Sequence, residues 1–218
     1  MDNYRLVVFD WDGTLMDSEA HIVQSTAAAF TDTGHVVPQD EDIKNIIGLG
    51  LREALEQLVP GQDDQTYDAI RERYRHHFLL APADASCLFP GTIQTLHTLK
   101  KSGYLLAVAT GKSRIGLQRE LHRTGLDDIF LTSRCADETA SKPSPRMLLE
   151  IIEELDVLPE ESIMVGDTEY DMEMAQLAGV NTIAACYGVH TCDRLQRYNP
   201  LTTIDDIQEL PKYLHLTI

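Results

Sequence analysis

Apolar residues follow two rhythms along this chain. The run Leu6-Val7-Val8-Phe9 has no polar interruption before Asp10, so residues 5–10 predict a strand buried on both faces of a parallel sheet. Between 17 and 80 the rhythm is helical. Val23, Ala27 and Phe30 share one face, with Gly34 as a stop. Leu51, Leu55 and Leu58 share a second, ending at Pro60-Gly61, and Tyr67, Ile70, Tyr74 and Phe78 repeat the pattern. No strand signal interrupts this block.

From residue 91 helix and strand alternate. Ile93, Leu96 and Leu99 stripe a helix stopped by Gly103, and Tyr104–Thr110 reads as a buried strand. A helix with Leu117 and Leu121 ends at Gly125, and Asp128–Thr132 contains a short strand. Ser144-Pro145 is an N-cap and first-position proline for a helix with Leu148, Ile151, Ile152 and Leu155 on one face. Ser162–Val165 is a strand, a helix runs to Gly179, and Asn181–Ala185 is the last clear strand. The alternation predicts an α/β fold with a doubly wound parallel, Rossmann-like sheet. The helical block lies between its first strand and the rest. Residues 1–15 and 87–218 therefore form the core, and 16–86 an inserted helical cap.

Charge narrows the partners. Thirty-five Asp and Glu against eighteen Lys and Arg give a net charge of −17. So acidic a chain argues against nucleic acid, whose phosphates are held by Lys and Arg, and against an anionic membrane surface. No apolar run approaches the roughly 20 residues that span a bilayer. The N-terminal MDNYRLVVFD enters a strand without a signal-peptide pattern. Cys87, Cys135, Cys186 and Cys192 are scattered with no CxxC pair, which argues against a zinc site or a disulfide framework and for a reducing, cytoplasmic setting. Oligomeric state leaves no mark on the pattern.

In an open α/β sheet, ligands bind beyond the carboxyl ends of the strands. There the chain places Asp10-Trp11-Asp12-Gly13-Thr14, Thr110-Gly111-Lys112, and Gly166-Asp167 with Asp171 four residues on; Lys142-Pro143 precedes a helix. Side chains two apart on extended backbone point the same way, so Asp10 and Asp12 repel each other, and Asp167 and Asp171 add to that. A cation and Lys142 would compensate the cluster. Oxygen ligands with room for water and phosphate favour Mg²⁺. Singly, each acid reads equally as a cap or a solvated charge.

Together these segments resemble the haloacid-dehalogenase-like hydrolase superfamily, whose signatures here read DWDGT (10–14), VATGK (108–112), SKPSP (141–145) and GDTEYD (166–171). The subgroup most similar is the phosphoglycolate-phosphatase-like one with a helical cap. The resemblance implies a Mg²⁺-dependent phosphatase of small phosphorylated metabolites. Asp10 would be the nucleophile that becomes an aspartyl-phosphate, and Asp12 the general acid and then base. Thr110 and the Gly111 amide would hold phosphate oxygens, and Lys142 would offset charge. Asp10, Asp167 and the Asp12 carbonyl would hold the metal, and Asp171 would bind it through water or orient Lys142. Gly13 permits the turn after the nucleophile.

Asp12 separates this chain from the dehalogenases, which lack that acid. Lys44, the cap's only lysine, reads as a surface position rather than a Schiff base. Arg52 reads as a possible substrate contact or as a helix arginine paired with Glu56. Lys112 lines the pocket mouth or begins a helix. His190 reads as a solvated loop residue or as one that approaches the site, and Trp11 as structural or as a contact that closes the cap. A β-phosphoglucomutase-like mutase would carry a Ser-rich motif in place of Thr110-Gly111-Lys112. A phospho-accepting signalling module would lack Asp12 and the helical insert.

Overall fold

The computed structural model describes residues 4–82 and 85–214; the opening Met1–Asn3 of the N-terminal reading lies outside them. In chain order the elements are β1 (Leu6–Phe9), β2 (Met16–Asp17), α1 (Glu19–Asp32), α2 (Asp40–Asn45), α3 (Leu51–Leu58), α4 (Asp64–Leu80) and β3 (Cys87–Leu88). Then come α5 (Thr92–Lys101), β4 (Leu105–Thr110), α6 (Arg114–Thr124), β5 (Thr132–Cys135), α7 (Arg146–Leu155) and β6 (Ser162–Gly166). The chain closes with α8 (Glu169–Ala178), β7 (Asn181–Ala185), α9 (Cys192–Gln196), β8 (Thr202–Ile204) and α10 (Leu210–Tyr213).

The main sheet has the order β5-β4-β1-β6-β7-β8 with every pair parallel. β1 is central, pairing Phe9 with Val108 on one side and Val165 on the other. Alternation along β1 builds both layers. Val7 and Phe9 pack with Leu96, Leu99, Leu117 and Leu210, while Leu6 and Val8 pack with Met147, Leu148, Ile151 and Met174. Trp11 joins the first layer, fully buried and edge-on to Phe130 at 6.4 Å.

The helices α1–α4 stand between β2 and β3, which pair antiparallel, Met16 with Leu88, where the chain leaves and rejoins the core. The insert has its own apolar centre in Ala29, Phe30, Leu55, Tyr67 and Ile70. It seats on the core through Ile46, Leu49 and Ala54 against Tyr170, through the Tyr170 hydroxyl donating to the Asn45 carbonyl (2.8 Å), and through the Gly50 N–H donating to Ser141 Oγ (2.7 Å).

Several local expectations are corrected. Ile93 is 48% exposed, because α5 turns only Leu96 and Leu99 inward. The strand expected over 128–132 begins at Thr132, after a turn closed by the Ile129 N–H on the Leu126 carbonyl. α7 starts at Arg146, one residue beyond the expected proline start. β8 adds an edge strand too short for an apolar rhythm. Cys186 and Cys192 form a disulfide that closes the loop after β7. Their six-residue spacing matches no framework pattern, and the cysteines therefore no longer support a reducing setting. No helix among the described residues is long and apolar enough to cross a membrane.

Gly111 is the tightest point of the seam. A Cβ there would stand 2.3 Å from the Leu49 carbonyl oxygen and 2.7 Å from that of Gly48. Gly111→Ala should push the insert off its seat at a cost of about 1–3 kcal/mol. The expected result is a melting midpoint lower by about 3–10 °C and faster proteolysis at the crossing near residues 81–88. Unchanged values would show that the backbone gives way there freely.

Candidate active site

β1 ends beside β4 and β6, so the residues leaving these three strands meet. Asp10 follows Phe9 directly, and its N–H donates to the Val165 carbonyl (3.0 Å). Thr110 ends β4, and Asp167 follows β6. Lys142 arrives from the loop after β5, ahead of a cis Lys142–Pro143 peptide. One carboxylate oxygen from each of Asp10, Asp167 and Asp171 falls within 4.8 Å of the others, and all three residues are buried.

Lys142 is fully buried among them. Its Nζ lies 2.6 Å from Asp10 Oδ1 and 2.7 Å from Asp171 Oδ1. Burial alone would lower the ammonium's pKa, but Asp10 and Asp171 outweigh it and hold it above the ordinary lysine value. One ammonium among three carboxylates leaves two negative charges uncompensated. The acids register this. Burial raises Asp10 well above the ordinary value against the pull of Lys142, with Asp171 and Asp167 adding to the rise. Burial, then Asp171, raises Asp167 to about 7.

The oxygens divide their work. Asp10 Oδ1 takes both Lys142 and the Trp11 N–H (2.6 Å), and Asp10 Oδ2 is buried with no hydrogen-bond partner among the described residues. Asp167 accepts from Thr14 Oγ1 at Oδ1 (2.7 Å) and from the Val189 N–H at Oδ2 (2.8 Å). Asp171 Oδ2 accepts from the Thr168 N–H (3.1 Å) and Oγ1 (2.7 Å), closing a capping box on α8 and leaving Oδ1 for Lys142. Asp171 is thus placed to orient Lys142. The uncompensated charge of three buried carboxylates that come within 4.8 Å of one another fits a divalent cation held by hard oxygen donors. Gly13 has φ +83°, and a Cβ on it would lie 2.1 Å from Asp167 Oδ2, so the turn and the acid both require glycine.

Asp12 stands in a separate environment. Ser18 Oγ donates to Asp12 Oδ1 (2.6 Å), and Lys112 Nζ lies 2.9 Å from the same oxygen. Ser18 occupies the N-cap of α1 but makes no side-chain cap bond, its hydroxyl being turned to Asp12. A serine before a helix reads as a cap from sequence alone, and so its role in the site was hidden. Thr110 is buried, with Oγ1 accepting from the Lys112 N–H (3.2 Å).

Arg52 meets the second of its two readings, and His190 departs from solvent. Arg52 pairs with Glu56 and Asp64, both at 2.6 Å, and lies over the Tyr67 ring at 4.4 Å. These are the contacts of a helix arginine within the insert, and no contact joins it to the acids. His190 is buried rather than solvated: its Nδ1 accepts from the Glu169 N–H (3.0 Å), its backbone N–H donates to the Asp167 carbonyl (3.2 Å), and burial lowers its pKa. Lys44 pairs with Glu19 (2.9 Å), as expected of a surface position.

Residues 7–185 match the haloacid dehalogenase-like hydrolase family. A curated relative, "Probable phosphatase IndB" of Dickeya dadantii, is 34% identical, covering 96% of this chain and 93% of its own length. A phosphoglycolate phosphatase of Agrobacterium fabrum is 31% identical, covering 94% of this chain and 90% of its own. Among solved structures, a haloacid dehalogenase-like hydrolase from Bacteroides fragilis superimposes with a TM-score of 0.88 at 30% identity, over 95% of this chain and 99% of that one.

The raised Asp167 carboxyl makes the metal-free protein's stability depend on pH. The folded state holds a proton that the unfolded state releases near pH 4, so stability falls as pH rises toward 7 and is flat above it. Lowering the pH from 7 to 6 without metal should recover about 1 kcal/mol from this group. Denaturant melts should show that gain, and Asp167→Asn should reduce it, leaving the share that the raised Asp10 carboxyl contributes. An unchanged slope in the variant would exclude Asp167 as its source.

Proposed function

The chain belongs to the haloacid dehalogenase-like hydrolases and is a phosphoric monoester hydrolase; from that premise we propose that it cleaves a small phosphoglycolate-like metabolite with Mg²⁺, through an aspartyl-phosphate on Asp10. The observation that carries this reading is the trio of buried carboxylates around a single lysine, beside a fourth acid in a different environment.

Asp10, Asp167 and the Asp12 carbonyl would hold the metal, which when bound supplies positive charge to the phosphoryl oxygens. The remaining work falls to side chains. Asp10 Oδ2 is the unpartnered oxygen, available to attack phosphorus. Thr110 Oγ1 and the Gly111 amide hold phosphoryl oxygens, and Lys142 offsets the charge that attack concentrates there. Asp12 gives a proton to the departing oxygen and then takes one from the hydrolytic water. Asp171 positions Lys142.

Residues 16–86 act as the cap in this reading. With the insert seated, Asp10 is 1% exposed and Lys142 1%. Substrate therefore enters when the insert lifts, and seating then excludes water from the phosphoryl group. Net charge opposes an anionic substrate at long range, so affinity depends on the local cations.

Removal of metal with EDTA should abolish hydrolysis of p-nitrophenyl phosphate and phosphoglycolate, and Mg²⁺ should restore it. Ca²⁺ should substitute poorly because of its larger, looser shell. Full turnover in chelator would overturn the metal assignment.

The two N-terminal aspartates should separate in single turnovers. Asp10→Asn should release neither p-nitrophenolate nor phosphate. Asp12→Asn should release p-nitrophenolate, which leaves without a proton, and then accumulate a phosphoenzyme labelled on Asp10, because no base remains for water. The lost second step should amount to about 10²–10⁴-fold. Label on any other residue would refute the assignment.

A further inference from the structure

We propose that Lys112 is a positioning residue for Asp12, and that it carries the seating of the helical insert to that carboxylate. This rests on the phosphatase reading above and deepens it. Lys112 belongs to the core, two residues beyond Thr110 and ahead of α6. Its side chain is 10% exposed, with Nζ 2.9 Å from Asp12 Oδ1 and 4.8 Å from the centre of the Phe78 ring. Phe78 is on α4, in the insert. It is held there by a stacked His21 at 3.9 Å and by Tyr74 at 5.7 Å, and His21 Nδ1 is in turn 2.8 Å from Ser86 Oγ, at the chain's return to the core. One ammonium thus touches both the acid and the part that moves over it.

The geometry at Asp12 gives that contact a task. Ser18 Oγ and Lys112 Nζ both fall on Oδ1. The terminal torsion of an aspartate is broad, so one donor leaves the carboxylate free to turn. Two donors on the same oxygen fix its plane and leave Oδ2 as the oxygen presented to the leaving group. Ser18 lies at the root of the insert, one residue beyond the β2–β3 crossing, where lifting the insert displaces it least. Lys112 gains the face of Phe78 only when the insert is down. Seating therefore settles the ammonium, and the ammonium settles which oxygen of Asp12 faces the substrate. Lys112 itself transfers no proton and forms no bond to substrate.

The test uses the full chain with Mg²⁺ and three substrates. p-Nitrophenyl phosphate has a leaving group that needs no proton. 2-Hydroxyethyl phosphate has one that needs a proton and carries no charge, and phosphoglycolate has one that needs a proton and carries a carboxylate. Lys112→Met keeps the length and the contact with Phe78 but loses the ion pair. It should lower kcat on both alkyl phosphates by about 10–100-fold, within the range of general acid catalysis, with KM changed less than about threefold. The single-turnover release of p-nitrophenolate should change less than about threefold. Lys112→Arg should recover most of the loss, and Phe78→Leu should show the same pattern more weakly. Adding Lys112→Met to Asp12→Asn should cost nothing further on the alkyl phosphates. Equal losses on all three substrates would make Lys112 merely structural and overturn the proposal. A rise in KM confined to phosphoglycolate would instead make it a direct contact for the leaving group's charge, and would overturn it too. If the unaltered chain released no phosphate from any of the three, the phosphatase reading would fail first, and this inference with it.

Discussion

The structure turns on a charge imbalance at the end of its central strand. Three carboxylates and one ammonium are buried together, and burial makes each uncompensated charge expensive. The surroundings answer only in part. Thr14, Val189, Trp11 and Thr168 each donate to one of the acids, and Lys142 bridges two of them. What remains is an unpartnered oxygen on Asp10 and an Asp167 carboxyl raised to about 7. A sheet that packs apolar layers on both faces has no structural reason to keep such a cluster. A site that must receive a cation and a phosphate does, because both arrive carrying what the cluster lacks: positive charge in one case and acceptors for Lys142 and Thr110 in the other.

Much of this was legible from the chain alone, for identifiable reasons. A strand buried on both faces has no polar residue to spare, so Leu6-Val7-Val8-Phe9 ending abruptly in Asp10 marks both the strand and its functional end. Asp167 and Asp171 follow the same logic after β6. The illegible parts are those where one residue type serves two purposes. Ser18 looks like a helix cap and is diverted to Asp12. Arg52 was legible as the i+4 partner of Glu56, whereas its second partner, Asp64, comes from the next helix and depends on how the insert folds. His190 is polar in a loop, yet that loop folds back over Asp167 and carries the histidine inside. β8 and the Cys186–Cys192 bridge depend on tertiary contact, which leaves no local periodicity to read.

The insert is bound to the core by contacts that reach the site rather than by a broad apolar face. Gly111 sits against the Leu49 carbonyl one residue from Thr110, Gly50 donates to Ser141 one residue from Lys142, and Tyr170 reaches Asn45 one residue from Asp171. Each neighbours a member of the cluster along the chain. A shift of the insert would therefore be felt within one residue of the groups expected to hold phosphate, so that in the proposed reading closure and site assembly are the same event.

Asp10 and Asp12 are separated by one residue but by a sharp difference in surroundings. Asp10 is sealed against Lys142 with two further carboxylates close by, an environment that suits the nucleophile proposed for it once the charge is balanced. Asp12 meets a hydroxyl and an ammonium on one oxygen, at the seam where the insert closes. Trp11 between them is anchored in the layer of Phe9 and Phe130, which fixes the backbone that carries the two acids. Two identical carboxylates thereby meet different surroundings, which in the proposed reading fit one to attack and the other to proton transfer.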